Sequence, residues 1–278
     1  MTARRSQTWQ TCDMASTTGL RARVRAELVQ EIKQEARRQV AQAGAPALSL
    51  RAVARELGMA SSAIYRYFPS RDQLLTAMII DAYDAIGAAT EAADAACQRQ
   101  DFAGRWRADC NAVRNWALDH PHEYALVYGS PIPGYRAPQD TIGPASRVTL
   151  ALAAVVRDAA AAGALREPFV PECAPALSTA AAIEAERLGP VALPGVPEDA
   201  IVRALVAWTQ LFGIVSFELF GHLAGVVEDI NALFEQAVTD ICAFVGIAMA
   251  GREGRSWHRG ADSANESDLG RSPGALRG

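Results

Sequence analysis

The stretch GMASSAIYRYFPSRDQLL, residues 58–75, decides the fold of this chain. Gly58 is suited to end one helix in a left-handed conformation, and Ser61 can cap the next helix across a tight turn. Pro69 then stops the second helix, and Ser70 opens an S-x-x-Q capping box that starts another. Two short helices around a tight turn, behind a longer helix, indicate a helix-turn-helix.

A long helix precedes the turn, because apolar residues recur at every fourth position before Gly44. These residues are Val24, Leu28, Ile32, Ala36 and Val40. Ser49 can cap the first short helix, and the second, about residues 61–67, turns Ile64 and Phe68 inward. Its outward side chains are Ser61, Ser62, Tyr65 and Arg66. Hydroxyl groups donate to phosphate oxygens and small side chains contact base edges, so this surface suits DNA; a plain surface turn is the alternative.

Charge is unevenly distributed along the chain. Residues 19–71 hold ten Arg or Lys against four Glu, whereas the whole chain has a net charge of −4. A basic segment on an acidic body indicates a polyanionic partner for that segment alone. The alternative is an ordinary solvated helix surface.

The segment LSLRAVARELGMASSAIYRYFPSRDQLLTAMI, residues 48–79, resembles the DNA-binding domain of the TetR family of bacterial transcriptional regulators. The resemblance covers about residues 20–79. Two positions depart from the usual family pattern, because Tyr67 stands where the family usually has His and Arg71 where it usually has Lys. Both side chains keep hydrogen-bonding capacity, so the changes affect operator preference more than DNA binding itself.

The resemblance implies DNA contacts for eight residues. Those that would contact the phosphate backbone are Tyr65, Tyr67 and Arg71, and those that would face the major groove are Ser61, Ser62 and Ala63. Those that would touch a flanking phosphate or base are Ser49 and Arg51. The family also implies a double-stranded, palindromic DNA operator, a homodimer and a small-molecule effector. We expect no cofactor, no metal and no catalytic residue.

Helix signals dominate the rest of the chain, and no strand-like alternation of convincing length appears, so the fold class is all-α. We expect a helix-turn-helix domain over residues 19–69 and a larger helical effector-binding and dimerisation domain over residues 70–250. Residues 1–18 and 251–278 lack periodicity and are expected to be disordered tails. Met14 is an alternative start, because the residues after it have the features of a complete domain.

The last two predicted helices, residues 198–223 and 226–249, are apolar on almost every side and must be covered on every side. We expect them to build a four-helix dimer interface, the alternative being the core of one subunit. The candidate interface residues are Leu205, Phe212, Val215, Leu219, Leu223, Phe234 and Ile241. The stretches YALVYGSPIPGY and WTQLFGIVSFELFGHL also resemble the C-terminal domain of the WHG-type subgroup.

An effector pocket needs apolar walls with a few polar groups. The candidate lining residues are Trp106, Cys110, Trp116, Tyr124, Tyr128 and Trp208, with His120 or His222 as polar contacts. For each of them an ordinary place in the core or an interface is the more common alternative. A metal site built from Cys110 and His120-Pro-His122 is a weaker alternative, because the proline prevents regular helical presentation.

Several function classes find no support in the sequence. The five cysteines are scattered without a C-x-x-C pair, which indicates reduced thiols and a cytoplasmic protein. The apolar run at 205–227 contains Gln210, Glu218 and His222, so we expect a buried helix rather than a membrane span. No catalytic triad, phosphate loop or H-E-x-x-H motif appears, so we do not expect an enzyme. Besides a regulator and an enzyme, a third alternative is a dimeric interaction module that has lost its DNA contacts. From the resemblance we expect a transcriptional repressor. A small, largely apolar effector would release it from DNA.

Overall fold

The computed structural model describes residues 8–166 and 177–248, which form ten α-helices and contain no β-strand. The predicted all-α fold is confirmed. The helices are α1 (Thr8–Ala43), α2 (Leu50–Glu56), α3 (Ser61–Ile64), α4 (Arg71–Ala96), α5 (Phe102–Asp119), α6 (Pro121–Tyr128), α7 (Ile142–Ala161), α8 (Thr179–Ala192), α9 (Glu198–Leu219) and α10 (Ile230–Val245). Two short 3-10 segments, Ala45–Ala47 and Gln139–Thr141, lie between them.

The N-terminal domain consists of α1, α2, α3 and the start of α4, packed around one apolar core. Its buried residues are Ile32, Ala36, Val40, Leu48, Leu50, Val53, Ala54, Ile64, Phe68, Leu74, Leu75 and Met78. The apolar residues predicted at every fourth position of α1 are therefore buried from Ile32 onwards. Val24 was predicted on the same face but is 53% exposed, because α1 extends there beyond the helices that cover its C-terminal half.

The helix α3 is shorter than the sequence predicted. It ends at Ile64 rather than near residue 67, and Tyr65–Tyr67 form a turn. The backbone N–H groups of Arg66 and Tyr67 donate to Ala63 and Ile64, three residues back, which tightens the chain before Pro69. Proline disfavours the α conformation in the residue before it, so Pro69 keeps a helix from continuing through Phe68.

The helix α4 belongs to both domains. Its first turns contribute Leu74, Leu75 and Met78 to the N-terminal core, and the following turns contribute Ala82 and Ile86 to the core of the C-terminal domain. One continuous helix of 26 residues therefore connects the two cores.

In the C-terminal domain α5 lies against α4 and α7, and α9 packs between α8 and α10. Arg105 on α5 is fully buried and joins three helices, because its Nε lies 2.6 Å from Asp94 Oδ1 on α4 and its Nη1 lies 2.9 Å from Asp158 Oδ2 on α7. Arg114 joins α5 to α9 through two hydrogen bonds to Glu218, 2.6 and 2.7 Å long.

The structure corrects the predicted dimer interface. Val215, Phe234 and Ile241 are at most 5% exposed and lie in the core of their own subunit, where the Arg114 guanidinium covers the Phe234 ring. Leu205, Phe212, Leu219 and Leu223 are half-buried. Val215 on α9 and Phe234 and Ile241 on α10 were predicted wrongly, because helices of the same chain cover them, whereas an interface role for the other four stays a prediction.

The outward face of these two helices is also apolar. Its exposed large residues are Val206, Phe217, Leu233 and Phe244. Among the described helices, α9 alone is long and apolar enough to cross a membrane, a property that core helices of soluble proteins share.

The predicted tails fall at the limits of the described chain. The helix α1 begins at Thr8, so part of the segment 1–18, predicted as a tail, is helical. Residues 1–7 and the predicted tail at 251–278 lie outside the described residues.

Candidate nucleic-acid interface and effector cavities

The turn between α2 and α3 is fixed by local bonds. Ser49 Oγ accepts a hydrogen bond from the Ala52 N–H, so Ser49 caps α2 as predicted. At the other end Gly58 has a φ of 64°, and the Met59 N–H donates back to the Ala54 carbonyl at 2.8 Å. These are the left-handed residue and the closing bond of a Schellman motif, which sets the direction in which α3 leaves the turn.

The start of α3 is presented to solvent. Ser61 and Ser62 are exposed, whereas Ile64 is fully buried beneath them. Ser61 does not cap the helix, since Ala60 occupies the cap position without a side-chain bond. The prediction of a Ser61 cap was wrong. The Ser61 hydroxyl makes no capping hydrogen bond.

Two tyrosines follow α3 in different environments. Tyr65 is 42% exposed, whereas Tyr67 is half-buried. The Arg25 guanidinium from α1 lies 5.1 Å from the Tyr67 ring centroid, and its Nη2 donates to the Arg66 carbonyl at 3.3 Å. The sequence did not single out Arg25, because its position beside α3 depends on how α1 packs.

The predicted phosphate clamp, Arg71, also makes contacts within the protein. Its Nη2 donates to the Ala45 carbonyl at 2.9 Å, and its Nη1 lies 3.6 Å from Asp72 Oδ1. Arg71 therefore ties the start of α4 to the 3-10 segment after α1. Ser70 Oγ accepts a hydrogen bond from the Gln73 N–H at 3.1 Å, as the predicted capping box requires.

Exposed arginines surround the helix-turn-helix. They are Arg21, Arg23, Arg25, Arg51, Arg55 and Arg66. Arg55 lies 3.6 Å from Glu56, an exposed contact of little energetic weight. The surface is therefore cationic, whereas the body of the chain is acidic.

The six predicted effector residues do not line one pocket. Trp106 and Trp208 line an apolar cavity of about 100 Å³ between α5, α7, α8 and α9, which we call the inner cavity. Trp116 stacks on His120, with centroids 5.0 Å apart, and lines a separate cleft next to α1. Cys110 is fully buried, and burial raises the pKa of its thiol. These residues therefore have different surroundings.

Tyr124 and Tyr128 lie where α6 meets α9. The Tyr124 hydroxyl lies 2.9 Å from Ser216 Oγ, so it is used within the core. Tyr128 packs on Phe212, with centroids 4.4 Å apart, and burial raises the pKa of its hydroxyl. Tyr128 lines two larger clefts.

The two clefts flank the loop 129–138. The head cleft, about 710 Å³, opens between this loop and the end of α1 and includes His122 and His222. The outer cleft, about 770 Å³, lies between the loop, α4 and α7 and reaches Trp208. In the described ranges no group of three His, Cys, Asp or Glu is placed to hold a metal ion.

The loop 129–138 is joined to the N-terminal domain. Ile132 and Tyr135 pack against the core of that domain, and the Tyr135 hydroxyl lies 2.9 Å from Thr76 Oγ1. A molecule in either cleft would therefore contact the loop 129–138, which touches both domains.

Comparison with known proteins assigns the family. Residues 32–78 match the family described as bacterial regulatory proteins, tetR family, and residues 106–241 match the family described as tetracyclin repressor-like, C-terminal domain. The HTH-type transcriptional regulator Rv1816 of Mycobacterium tuberculosis is 36% identical over 236 residues, 81% of this chain and 94% of the relative. The regulator Mb1846 of Mycobacterium bovis matches to the same extent.

Solved structures agree with this assignment. The regulatory protein SCO4313 is 38% identical with a TM-score of 0.64, and the match covers 79% of this chain and 97% of that one. A protein of unknown function from Rhodococcus sp. RHA1, 24% identical with a TM-score of 0.60, covers 80% of this chain and 96% of its own and shares the fold.

The chain therefore belongs to the TetR family of bacterial transcriptional regulators, and it is a DNA-binding protein through its helix-turn-helix. The resemblance to the WHG-type subgroup stays a prediction.

Proposed function

We propose that the chain is a cytoplasmic, homodimeric repressor that leaves a palindromic operator when a small, largely apolar effector binds its C-terminal domain. The observation that carries the proposal is the solvent-facing start of α3 on a cationic domain of an otherwise acidic protein. Since the excess of positive charge lies in this domain, it orients the domain toward DNA. No membrane is part of the proposal.

In this proposal the contacts with DNA divide into two groups. Ser61, Ser62 and Ala63 meet base edges and specify the sequence. The residues that position the protein on phosphates are Ser49, Arg51, Tyr65, Tyr67 and Arg71, to which we add Arg25. Ser49 can serve both uses, because its oxygen accepts the cap bond while its proton remains free to be donated.

The operator is obtained by selecting bound sites from a random DNA pool, and affinity is then measured over a range of salt concentrations. We expect Arg51→Ala to weaken binding to all sequences and to reduce the salt slope by about one. Arg187→Ala, on exposed α8, is the control and should change neither. An Arg51→Ala slope equal to that of the control would contradict the phosphate contact.

Base reading has its own test on the selected operator. Ser62→Ala should alter the preference among operator variants more than the overall affinity, because the lost hydroxyl reads one base pair only, and a mismatch at one base pair costs about 1–3 kcal/mol. A uniform loss over all variants would remove Ser62 from the base-reading set.

The dimer in this proposal uses the outward faces of α9 and α10. Phe217 is 54% exposed and Phe244 is 39% exposed, and Gly213, between Val206 and Phe217, leaves room for a partner helix. Two copies packed through these faces would form the four-helix interface expected from the sequence, with a different set of residues.

Release by the effector is proposed from the clefts around the loop 129–138. This loop contacts the N-terminal core through Ile132 and Tyr135, so a ligand against it has a route to the helix-turn-helix. The effect is limited by the difference between the ligand's affinities for the two conformations.

A further inference from the structure

The part of α1 that precedes Leu28 lies outside the N-terminal core. Residues 19–27 are all exposed, and the core begins further along the helix, at Ile32. Leu20 is 61% exposed and Val24 is 53% exposed, although both side chains are apolar. We call residues 19–26 the α1 extension. Burial within its own domain does not account for this stretch of helix.

The α1 extension is strongly cationic. It contains three arginines, Arg21, Arg23 and Arg25, and no acidic residue. All three arginines are exposed. Positive charge concentrated on an exposed helix attracts a polyanion. For a protein of this family that polyanion is double-stranded DNA.

Arg25 fixes the position of the α1 extension relative to the helix-turn-helix. Its Nη2 donates to the Arg66 carbonyl at 3.3 Å, and its guanidinium lies 5.1 Å from the Tyr67 ring centroid. Arg66 is exposed, and Tyr67 is one of the residues proposed to contact phosphate. Arg25 therefore lies at the edge of the proposed DNA surface, next to the turn that follows α3.

The other two arginines lie on opposite sides of the helix. Each residue turns an α-helix by about 100° and advances it by about 1.5 Å. Arg21, four residues before Arg25, therefore lies only about 40° round the helix from it and about 6 Å further along. Arg23 lies about 160° round from Arg25 and faces the far side. Arg21 thus continues the row that begins with Arg25 beside α3.

This row extends past the base pairs that α3 would read. A length of about 6 Å along the helix corresponds to about two base pairs, since base pairs are stacked about 3.4 Å apart. Contacts with phosphate add affinity without reading sequence. The bases that face Arg21 would therefore not be fixed by selection, although the duplex must be present there.

We propose that the α1 extension binds the phosphate backbone of the DNA that flanks the operator, with Arg21 and Arg25 as the contacts. This inference rests on the proposed function, which places α3 against the bases of a palindromic operator. It adds a second contact surface on α1, and it makes the affinity depend on the length of the duplex.

The test compares two duplexes that contain the same selected operator. The short duplex ends at the outermost base pair whose identity the selection fixes, and the long duplex adds several base pairs of unrelated sequence on each side. Affinities of the full-length protein for both are measured by anisotropy. Arg21→Ala should weaken binding to the long duplex about tenfold, because each half-site loses an exposed ion pair worth about threefold. Binding to the short duplex should stay unchanged.

Arg23→Ala is the matched control, because it removes the same charge from the same exposed helix on the far side. Its effect on the two duplexes should be equal. Since Arg21 lies outside the core, neither substitution should change the stability of the fold. Equal losses on both duplexes in Arg21→Ala, or a length-dependent loss in Arg23→Ala as large as that in Arg21→Ala, would overturn the proposal.

Hydroxyl-radical cleavage of the long duplex locates the contact and separates the two proposals. The wild-type protein should protect sugars outside the fixed base pairs, and Arg21→Ala should expose the outermost of them while the central protection remains. A protein that selects no sequence would contradict the proposed function and this inference with it. An operator that is protected, with flanks equally open in wild type and Arg21→Ala, would leave the proposed function standing and overturn the α1 contact alone.

Discussion

Arg71, for which we propose a phosphate contact, also makes a hydrogen bond within the protein. Its Nη2 is held by the Ala45 carbonyl, and the side chain is 29% exposed, so part of the guanidinium remains able to meet a phosphate. The internal bond restricts the side chain, and a restricted arginine loses less entropy when it binds.

Arg71→Ala should therefore affect both folding and DNA binding. We expect the free energy of unfolding to fall by about 1 kcal/mol, since a hydrogen bond to a carbonyl is lost. The salt slope of DNA binding should also fall by about one. Urea denaturation and anisotropy titrations measure the two effects. A normal slope with reduced stability would mean that Arg71 acts only within the protein.

Asp109 on α5 is a buried acidic residue. It is fully buried, and neither carboxylate oxygen has a hydrogen-bond partner in the described chain. Burial, and then the charge of nearby Asp94, raises the pKa of Asp109 to about 8. At neutral pH the folded protein therefore keeps this carboxyl protonated, whereas the unfolded chain ionises it.

This difference predicts a pH dependence of stability. Between about pH 3.9, the ordinary value in an unfolded chain, and about pH 8, Asp109 makes the folded state less stable as pH rises. The limiting slope is about 1.4 kcal/mol per pH unit. Asp109→Asn has the same shape without the titration, so its advantage over wild type should grow from pH 5 to pH 8. Parallel stability profiles of the two proteins would refute the buried, neutral carboxyl.

At the scale of elements, the turn between α2 and α3 depends on one glycine. Gly58 has a φ of 64° and open space around a Cβ, so a substitution would be strained by its backbone alone. We expect Gly58→Ala to destabilise the protein by about 1 kcal/mol and to weaken operator binding. Thermal unfolding and anisotropy provide the measurements.

Gly143 is the matched control for this change. It lies in α7, also with open space around a Cβ, and its backbone is not in the left-handed region. Gly143→Ala should stabilise the protein by up to about 1 kcal/mol and leave DNA binding unchanged. Equal effects of the two substitutions would contradict the role given to the Gly58 conformation.

The sequence predicted the helix-turn-helix well because its signals are local. Ser49, Gly58 and Ser70 act on neighbouring backbone groups, and all three do so in the structure. The length of α3 was overestimated, because the helical pattern does not reveal that Arg66 and Tyr67 bond three residues back instead of four.

Features that depend on packing could not be predicted in this way. A helix such as α9 is apolar on nearly every side, so its pattern cannot tell which stripe meets its own chain and which meets a partner. The place of Arg25 beside Tyr67 depends likewise on α1 and α3 coming together. The effector residues were chosen as aromatic groups, but aromatic groups also build the core.

At the scale of the whole molecule, the exposed apolar face predicts the assembly. Phe217 is half-exposed in a single subunit. Phe217→Asp places a charge there, so the subunit should fold normally and fail to dimerise. A monomer contacts only one half of the palindromic operator, so binding should weaken by about a hundredfold. Light scattering after size exclusion measures the mass.

Val191 on α8 provides the comparison, since it is 81% exposed and lies outside the α9 and α10 face. Val191→Asp should remain dimeric with normal DNA affinity. A dimeric Phe217→Asp protein would show that the partner binds elsewhere.

The continuity of α4 through both cores has a mechanical consequence. A helix of 26 residues is about 39 Å long, so a tilt of only about 5° at one end sweeps the other by about 3 Å. Neighbouring base pairs are stacked about 3.4 Å apart. If an effector acts as proposed, a helix of this length would turn a small tilt at the C-terminal core into a displacement of almost one base-pair step at the helix-turn-helix.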